Sequence, residues 1–172
     1  MKIAVLKERR DGEKRVAASP DSVAKFISLG CSVTVESGAG DAASILDDAF
    51  KEAGATIAKT AADTVKGADL VLKIARPMES EIKLFSKGQA LVCHAYALTE
   101  GDTVKALNDQ GVTLFAMELV PRITRAQSMD ILSSQANMSG YKAVLDALEY
   151  YGRALPMMST AAGRVNPANV FI

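Results

Sequence analysis

Short apolar runs alternate with segments of helical spacing along the first two thirds of the chain. The apolar runs predict six strands, at Lys2–Leu6, Cys31–Glu36, Ala55–Ala58, Asp69–Ile74, Gln89–Cys93 and Val112–Met117. Helices are predicted between them: one capped by Ser19 and ended by Gly30, three at Asp47–Ala53, Ala61–Lys66 and Glu79–Ser86, and one between Thr99 and Gly111. Strands without polar alternation, separated by helices, indicate a parallel sheet covered on both faces. The predicted fold is therefore α/β, a three-layer parallel sheet of the Rossmann-like or flavodoxin-like type.

The last third of the chain has a different pattern. Ser128–Gly152 keeps helical spacing for longer than any earlier segment, Arg153–Asn166 loses periodicity, and Asn169–Ile172 begins an apolar run. The predicted organisation is an N-terminal α/β domain at residues 1–127, a long connecting helix at residues 128–152, and a linker with a new strand at residues 153–172. A strand that begins at the very end of the sequence suggests a chain that has been cut.

Composition excludes several classes of protein. Lys plus Arg equals Asp plus Glu, at 20 each, which argues against a broad surface for nucleic acid or anionic membranes. No apolar run reaches the ~18 residues of a membrane span, and the charged N-terminus is not typical of a signal peptide. Cys31 and Cys93 form no CxxC pattern, which predicts two buried thiols in a reducing compartment, and we expect a cytoplasmic protein. A single histidine makes a zinc site improbable, so no metal is expected.

Polar side chains cluster after the predicted strands, where open parallel sheets bind ligands. Because these strand ends share one edge, they predict an anion site for a carboxylate or phosphate; the alternative is a solvated loop rim. The residues concerned are Lys7, Glu8, Arg9, Arg10, Glu13, Lys14 and Arg15 after strand one, Lys73 and Arg76 at strand four, His94 at strand five, and Glu118, Arg122 and Arg125 after strand six.

Two of these residues interrupt apolar runs. Lys73 stands inside ADLVLKIA, where a charge is costly unless it is paired or lies at a strand end. We interpret it as a binding residue, with a snorkelling lysine as the alternative. His94 follows Cys93 in a similar run, and the alternative to a functional role is a hydrogen-bonded structural histidine.

The segment from Gly38 to Ala43, GAGDAA, fits the dinucleotide fingerprint G-x-G-x-x-A. The residues that follow do not open a helix where the fingerprint requires one, and Asp47 is predicted to be the true helix cap. A glycine-rich turn without a nucleotide is the better prediction.

The most polar connection is PRITRAQSMDILSSQANMSGYKAV, Pro121–Val144. Gln127, Asp130 and Ser133 are spaced three apart, so once helical they lie on one face. This segment is too polar for a plain connection, although helix capping by Ser128 or Asp130 also accounts for part of it.

Four stretches of the chain resemble the NAD(H)-binding component of proton-translocating NAD(P) transhydrogenases, a family related to alanine dehydrogenase. They are KERRDGEKRVAASPDSV, ADLVLKIARPMESEI, VCHAYALT and MELVPRITRAQSMDILSSQANMSGYKAV. The resemblance covers the whole chain, and the last stretch points to transhydrogenase rather than alanine dehydrogenase.

The resemblance implies roles for seven residues. Arg122, Gln127, Asp130 and Ser133 match the loop that contacts the nicotinamide end of NAD(H), with Arg122 and Asp130 able to form an ion pair. Arg15, Lys73 and His94 match positions that bind the 2-oxo acid in alanine dehydrogenase. A transhydrogenase has no such substrate, so in this chain these three are expected to shape a cleft or an anion site.

The resemblance also implies an activity and partners. The intact protein would transfer hydride from NADH to NADP⁺ and couple the transfer to proton movement. NAD(H) would be held mainly by a second, Rossmann domain whose first strand resembles Asn169–Ile172. NADP(H) would be held by a partner component, and a membrane component would carry the protons. A homodimer at the inner face of the membrane is expected, and the chain alone is expected to be inactive. The alternatives are an alanine dehydrogenase-like domain that binds a 2-oxo acid and a non-catalytic module that binds a small carboxylate.

Overall fold

The computed structural model describes residues 1–171. They divide into two compact units, the first being Met1–Met129 and the second beginning at Asp130. In the first unit the strands are β1 (Lys2–Val5), β2 (Ser32–Glu36), β3 (Thr56–Ala58), β4 (Leu70–Ala75), β5 (Ala90–His94) and β6 (Thr113–Ala116). Its helices are α1 (Pro20–Ser28), α2 (Asp47–Glu52), α3 (Ala61–Val65), α4 (Glu79–Ile82) and α5 (Gly101–Asp109). Short 3₁₀ turns lie at Asp41–Ala43, Met117–Leu119 and Thr124–Met129.

The six strands form one parallel sheet in the order β3-β2-β1-β4-β5-β6. This is the order of the doubly wound Rossmann type, and it confirms the predicted three-layer α/β fold. The chain reverses its direction of progress between β1 and β4. Ligands of such sheets bind beyond the carboxyl ends of the strands at this reversal.

The core lies on both faces of the sheet because successive strand residues point to opposite sides. In β1, Ile3 and Val5 pack with Val23 of α1 and Phe50 of α2 in one apolar cluster. Ala4 and Leu6 pack with Val71, Leu91 and Leu107 in the other. Each cluster is built from side chains that are almost fully buried, so the sheet has covered faces and open strand ends.

Two helices of the first unit begin as the sequence predicts or close to it. Ser19 caps α1 by accepting a hydrogen bond from the Ser22 N–H, and Pro20 occupies the first turn. The predicted cap at Asp47 is wrong: Leu46 is the N-cap of α2, and Asp47 is its first helical residue. The Asp47 carboxylate accepts hydrogen bonds from Ser37 and from the Gly38 N–H instead.

The later helices of the first unit are shorter than predicted. α4 ends at Ile82 because the following residues continue as i to i−3 turns, with Leu84 N–H bonded to Glu81 and Phe85 N–H to Ile82. α5 begins at Gly101 rather than at Thr99, since the Thr99 N–H is held by the Tyr96 carbonyl.

The second unit contains α6 (Ile131–Tyr151) and a hairpin of β7 (Met158–Thr160) and β8 (Gly163–Val165). Asp130 caps α6, and Gly152 ends it in the left-handed conformation, close to the predicted bounds. The sequence does not predict the hairpin, because its strands have only three residues each and carry no apolar alternation.

Two further predictions need correction. The strand predicted at Asn169–Ile172 is wrong for residues 169–171, which form no ladder with another strand, and its last residue lies outside the described part of the chain. The prediction of two buried thiols is right for Cys93 and wrong for Cys31, which is only partly buried at the start of β2. Among the helices within residues 1–171, none combines the length and the hydropathy that crossing a membrane requires.

Candidate functional site

The carboxyl ends of β1, β4 and β5 lie side by side, because β1 pairs with β4 and β4 pairs with β5. Lys73 lies in β4, and His94 is the last residue of β5, in register with Ala75. Arg15 belongs to the loop between β1 and α1. The structure therefore places Lys73 and His94 at one edge of the sheet, at the reversal of strand order.

Lys73 is a paired, buried cation. Its side chain is 1% exposed, and its ammonium lies 2.9 Å from Glu81 Oε1 and 3.3 Å from Glu8 Oε2. The snorkelling alternative is wrong, since the charge does not reach solvent. Two carboxylates already neutralise this ammonium, which weakens the case for Lys73 as half of an open anion site.

Glu8 takes over from β1 where that strand stops. The Ile74 N–H donates to Glu8 Oε1 at 2.6 Å, and the Ala75 N–H reaches Glu8 Oε2 at 3.4 Å. The register between β4 and β5 shifts between Leu72 and Ala75, so β4 is irregular at this point. One carboxylate thus holds the end of β4 and pairs with Lys73 at the same time.

Arg9 extends the network to the next strand. Its guanidinium lies 3.3 Å from Glu81 Oε1, donates to the carboxylate of Glu36 at the end of β2, and donates to the Lys7 carbonyl at 2.9 Å. Although burial lowers the pKa of Arg9, its hydrogen bonds and charge attraction to Glu36 and Glu81 raise it overall. Cations and carboxylates therefore alternate across β2, β1 and β4.

Arg15 is held by its neighbour in the loop. Its Nε and Nη2 donate to the two carboxylate oxygens of Glu13 at 2.7 and 2.6 Å. This hydrogen bonding lowers the pKa of Glu13 and raises that of Arg15, to which Glu8 and Tyr96 add by charge. Arg15 therefore lies within electrostatic reach of the Lys73 network, with a bidentate carboxylate partner of its own.

His94 stacks on an aromatic ring. The His94 and Tyr96 ring centroids are 4.1 Å apart with an angle of 25° between the planes. The Arg76 guanidinium lies 5.5 Å from the Tyr96 centroid and 2.7 Å from Glu100 Oε1. The Arg76 Nε is buried and has no hydrogen-bond partner among the described residues. The stack forms a cationic and aromatic surface at the end of β4 and β5.

The Glu118 carboxylate joins β5 to the segment after β6. It accepts hydrogen bonds from the Ala95 N–H at 3.0 Å and from the Ala97 N–H at 2.7 Å. Burial raises the pKa of Glu118, but these backbone hydrogen bonds and the charge of His94 together lower it. Glu118 is therefore held as a carboxylate by the loop it binds.

Arg122 and Gln127 lie in the first unit and are exposed. Gln127 belongs to the 3₁₀ turn Thr124–Met129, which is anchored by the buried side chain of Ala126. Both side chains are polar and accessible, so neither contributes to the packing of the core.

Asp130 and Ser133 belong to the second unit. Asp130 Oδ1 accepts hydrogen bonds from the N–H groups of Leu132 and Ser133, and the Ser133 hydroxyl donates to Asp130 Oδ2 at 2.7 Å. Capping is therefore one role of Asp130, as the sequence allowed. The implied ion pair between Arg122 and Asp130 stays a prediction.

The glycine-rich segment is a turn, as predicted. Asp47 accepts the hydrogen bond of the Gly38 N–H that a phosphate would need. A Cβ on Gly40 would lie 2.4 Å from the Ile45 carbonyl oxygen and 2.9 Å from the Phe50 ring, so this glycine serves packing. Within residues 1–171 no group of three or more His, Cys, Asp or Glu side chains is arranged to hold a metal ion.

Sequence reasoning missed Glu81, Tyr96 and the functions of Glu8 and Glu118. Glu81 sits three residues into a short helix, where an acidic residue is typical of an ordinary first turn. Its burial depends on the position of α4 beside β4, and nothing in the local sequence indicates that position.

Comparison with known proteins gives the family. Residues 4–139 match the family model described as alanine dehydrogenase/PNT, N-terminal domain. The chain is 55% identical over its whole length to an NAD(P) transhydrogenase subunit alpha of Rhodospirillum rubrum. It is 34% identical over 81% of its length to alanine dehydrogenase of Bacillus subtilis. It spans about half the length of the transhydrogenase relative, 46%, and 36% of the alanine dehydrogenase.

Solved structures agree. The transhydrogenase from Sinorhizobium meliloti matches 98% of this chain at 48% identity with a TM-score of 0.91, and the chain covers 50% of it. An L-alanine dehydrogenase matches 73% of the chain at 30% identity with a TM-score of 0.69, and 34% of that protein is covered. The chain belongs to the alanine dehydrogenase/PNT N-terminal domain family, and its relatives of highest identity here are alpha subunits of NAD(P) transhydrogenase.

Proposed function

We propose that this chain is the first domain of the NAD(H)-binding component of a proton-translocating transhydrogenase. The observation that carries the proposal is 55% identity to a transhydrogenase alpha subunit along all of the chain, including the polar segment Pro121–Ser133. Alanine dehydrogenases share less of the chain and less of its sequence.

In this function the chain positions one end of a nucleotide. NAD(H), when bound, supplies the hydride, and hydride transfer itself needs no nucleophile or general base from the protein. Arg122 and Gln127 fit this role because they are exposed and polar, and neither belongs to the buried core. Together with Asp130 and Ser133 they would hold and orient the nicotinamide end, so that the ring can approach its acceptor closely.

The pyrophosphate of NAD(H) needs a different site. Asp47 occupies the only glycine-rich turn that fits a dinucleotide fingerprint within the described residues, and the Gly40 position leaves no space. We therefore place most of the nucleotide on a second, Rossmann domain that residues 153–172 would begin. Residues 1–127 and the helix of residues 128–152 would form this chain's own share of the component.

The proposed assembly has four further parts. They are the Rossmann domain, a second copy of the component in a homodimer, an NADP(H)-binding component and a membrane component that conducts protons. The protein would then act on the cytoplasmic side, at the membrane surface through its partners.

The alternative is an alanine dehydrogenase-like site for a 2-oxo acid on Arg15, Lys73 and His94. The observation in its favour is that Lys73 and His94 share one strand edge. Against it, Glu8 and Glu81 neutralise Lys73, and Glu13 binds Arg15 on both carboxylate oxygens. A small carboxylate would have to compete with these three glutamates, so we favour the transhydrogenase function.

One experiment separates the two functions. The longest reading frame that begins with this chain is purified and mixed with an NADP(H)-binding component of a transhydrogenase. We expect hydride transfer from NADH to an NADP⁺ analogue, and no NADH oxidation with pyruvate and ammonium. NADH oxidation that depends on pyruvate, without transfer to the analogue, would replace the proposal with the alanine dehydrogenase alternative.

A further inference from the structure

Tyr96 has an unusual backbone. Its φ is 52°, in the left-handed region that bulky side chains rarely adopt. The loop that contains it, Ala95–Glu100, will be called the β5 loop. Tyr96 is the one aromatic residue with positive φ among residues 1–171. Such a conformation persists only where the surrounding contacts impose it, and it is found most often at functional sites.

Contacts on both sides of Tyr96 impose this conformation. The N–H groups of the residues before and after it, Ala95 and Ala97, point to the two oxygens of Glu118. The Tyr96 carbonyl accepts hydrogen bonds from the Thr99 and Glu100 N–H groups, both at 2.9 Å. Backbone N–H groups that converge on one anion in this way form a nest, and here the anion is a side chain of the protein.

Glu118 comes from a distant part of the chain. It lies 23 and 21 residues after the two amides that it binds, in the 3₁₀ turn Met117–Leu119 that follows β6. Arg122 comes four residues later. The same carboxylate therefore fixes the β5 loop and the start of the polar segment Pro121–Ser133.

The stacked surface depends on this geometry. With Tyr96 in the left-handed conformation, its ring lies on His94 and beside Arg76. An extended or right-handed Tyr96 would send the ring elsewhere, because the direction of Cβ follows the backbone angles.

We propose that Glu118 is a positioning residue, which holds Tyr96 against His94 and fixes the start of the segment that carries Arg122. Its consequence for hydride transfer rests on the proposed function, whereas its effect on the β5 loop does not.

A carboxylate suits this position and an amide does not. Glu118 uses one oxygen for each N–H. A glutamine has one acceptor oxygen and one NH₂ donor, so it can serve one backbone N–H and must oppose the other. Glu118→Gln is thus nearly isosteric and removes one of the two bonds.

The first test uses the 172-residue chain and amide hydrogen exchange followed by NMR. We expect Glu118→Gln to accelerate exchange at Ala95 and Ala97 at least ten-fold, with β2 amides such as Val35 unchanged. Glu52→Gln, an exposed glutamate at the end of α2, is the matched control and should leave both amides at the parental rate. Parental exchange at Ala95 and Ala97 in Glu118→Gln would overturn the proposal.

A double-variant cycle tests whether Glu118 opposes backbone strain. Glycine adopts positive φ freely, so Tyr96→Gly removes the strain. We expect Glu118→Gln to lower the folding equilibrium constant at least five-fold more in the parent than in Tyr96→Gly. Equal effects in the two backgrounds would show that Glu118 does not act through Tyr96. If Glu118→Gln alone does not fold, failure of Tyr96→Gly to restore folding to it would also count against the proposal.

The third test measures positioning in the longer component. Glu118→Gln should lower hydride transfer at least ten-fold while the Kd for NADH stays within two-fold, because the nucleotide is held mainly elsewhere. A purely structural role would change both or neither, and that result would overturn the link to Arg122. If the parental component transfers no hydride, the proposed function fails, while the exchange result is judged separately.

Discussion

The Lys73 ammonium lies 2.9 Å from Glu81 Oε1, and both side chains are almost fully buried. This pair crosses from β4 to α4, and Glu8 completes it from the loop after β1. Removing one partner of a buried ion pair leaves an uncompensated charge, which is costly, whereas removing all the charges together is often tolerated.

We therefore expect Lys73→Met to destabilise the chain by about 3–5 kcal/mol, because it leaves two carboxylates facing each other without their shared cation. Urea unfolding gives the free energy. The triple variant Glu8→Gln/Lys73→Met/Glu81→Gln should recover at least half of the loss. A loss below ~1 kcal/mol in Lys73→Met would show that this network has little influence on folding.

Gln127→Asn and Asp130→Asn should each lower hydride transfer at least ten-fold in the longer component, with a smaller change in NADH affinity. The reason is geometric, since a misplacement of about 1 Å can cost ~100-fold in rate. Asn caps a helix nearly as well as Asp, so Asp130→Asn keeps the α6 cap and isolates any second role of Asp130. Stopped-flow transfer beside equilibrium NADH binding measures both effects. Parental transfer rates in both variants would reduce the segment to a connection.

The isolated chain should bind NADH weakly or not at all. A pyrophosphate normally rests on a glycine turn and a helix N-terminus, and here the Asp47 carboxylate occupies that turn. Calorimetry at millimolar NADH measures the affinity. Micromolar binding would mean that this chain holds more of the nucleotide than we propose.

The stabilising effect of Glu118 should depend on pH in one direction. Its pKa is lower in the folded chain than in the unfolded chain, so its contribution is complete above the ordinary glutamate pKa of about 4.3 and is lost as the pH falls through the lowered value. The difference in unfolding free energy between the parent and Glu118→Gln should therefore be constant near neutral pH and shrink below about pH 4. A difference that grows on acidification would contradict this assignment.

The two cysteines should differ in reactivity. Burial, followed by the negative charge of Glu118, raises the pKa of Cys93 to about 12, so at pH 8 its thiolate is scarce as well as inaccessible. Cys31 is only partly buried. Alkylation of the native chain should modify Cys31 and spare Cys93, which peptide mass spectrometry detects. Cys31→Ser should then be inert until it is unfolded.

The strands were the most predictable part of this fold. Apolar runs such as that of β4 are set by burial on both faces and are visible in the local sequence. The helix ends were less predictable, because α5 starts where the Tyr96 carbonyl stops capturing N–H groups rather than at a capping residue. The hairpin of β7 and β8 escaped prediction because it depends on pairing between three-residue strands.

The site divides in the same way. That Lys73 would need a partner followed from its apolar setting, but the identity of that partner did not. Glu81 reaches Lys73 through the packing of α4, and Glu118 reaches Ala95 through the adjacency of β5 and β6. Both contacts join residues that are brought together by the sheet, so local spacing carries no signal for either.

The crowding around Gly40 bears on how mutational tolerance should be interpreted in this family. Any side chain there would collide with the Ile45 carbonyl and the Phe50 ring, whereas Gly88 has open space around its missing side chain. In a saturation library, Gly40 should therefore reject every substitution in a selection for expression alone, in the absence of any nucleotide. Intolerance at a glycine of a fingerprint-like segment would in this case report on the shape of a turn, and a survey that scored it as nucleotide recognition would assign the cofactor to the wrong half of the protein.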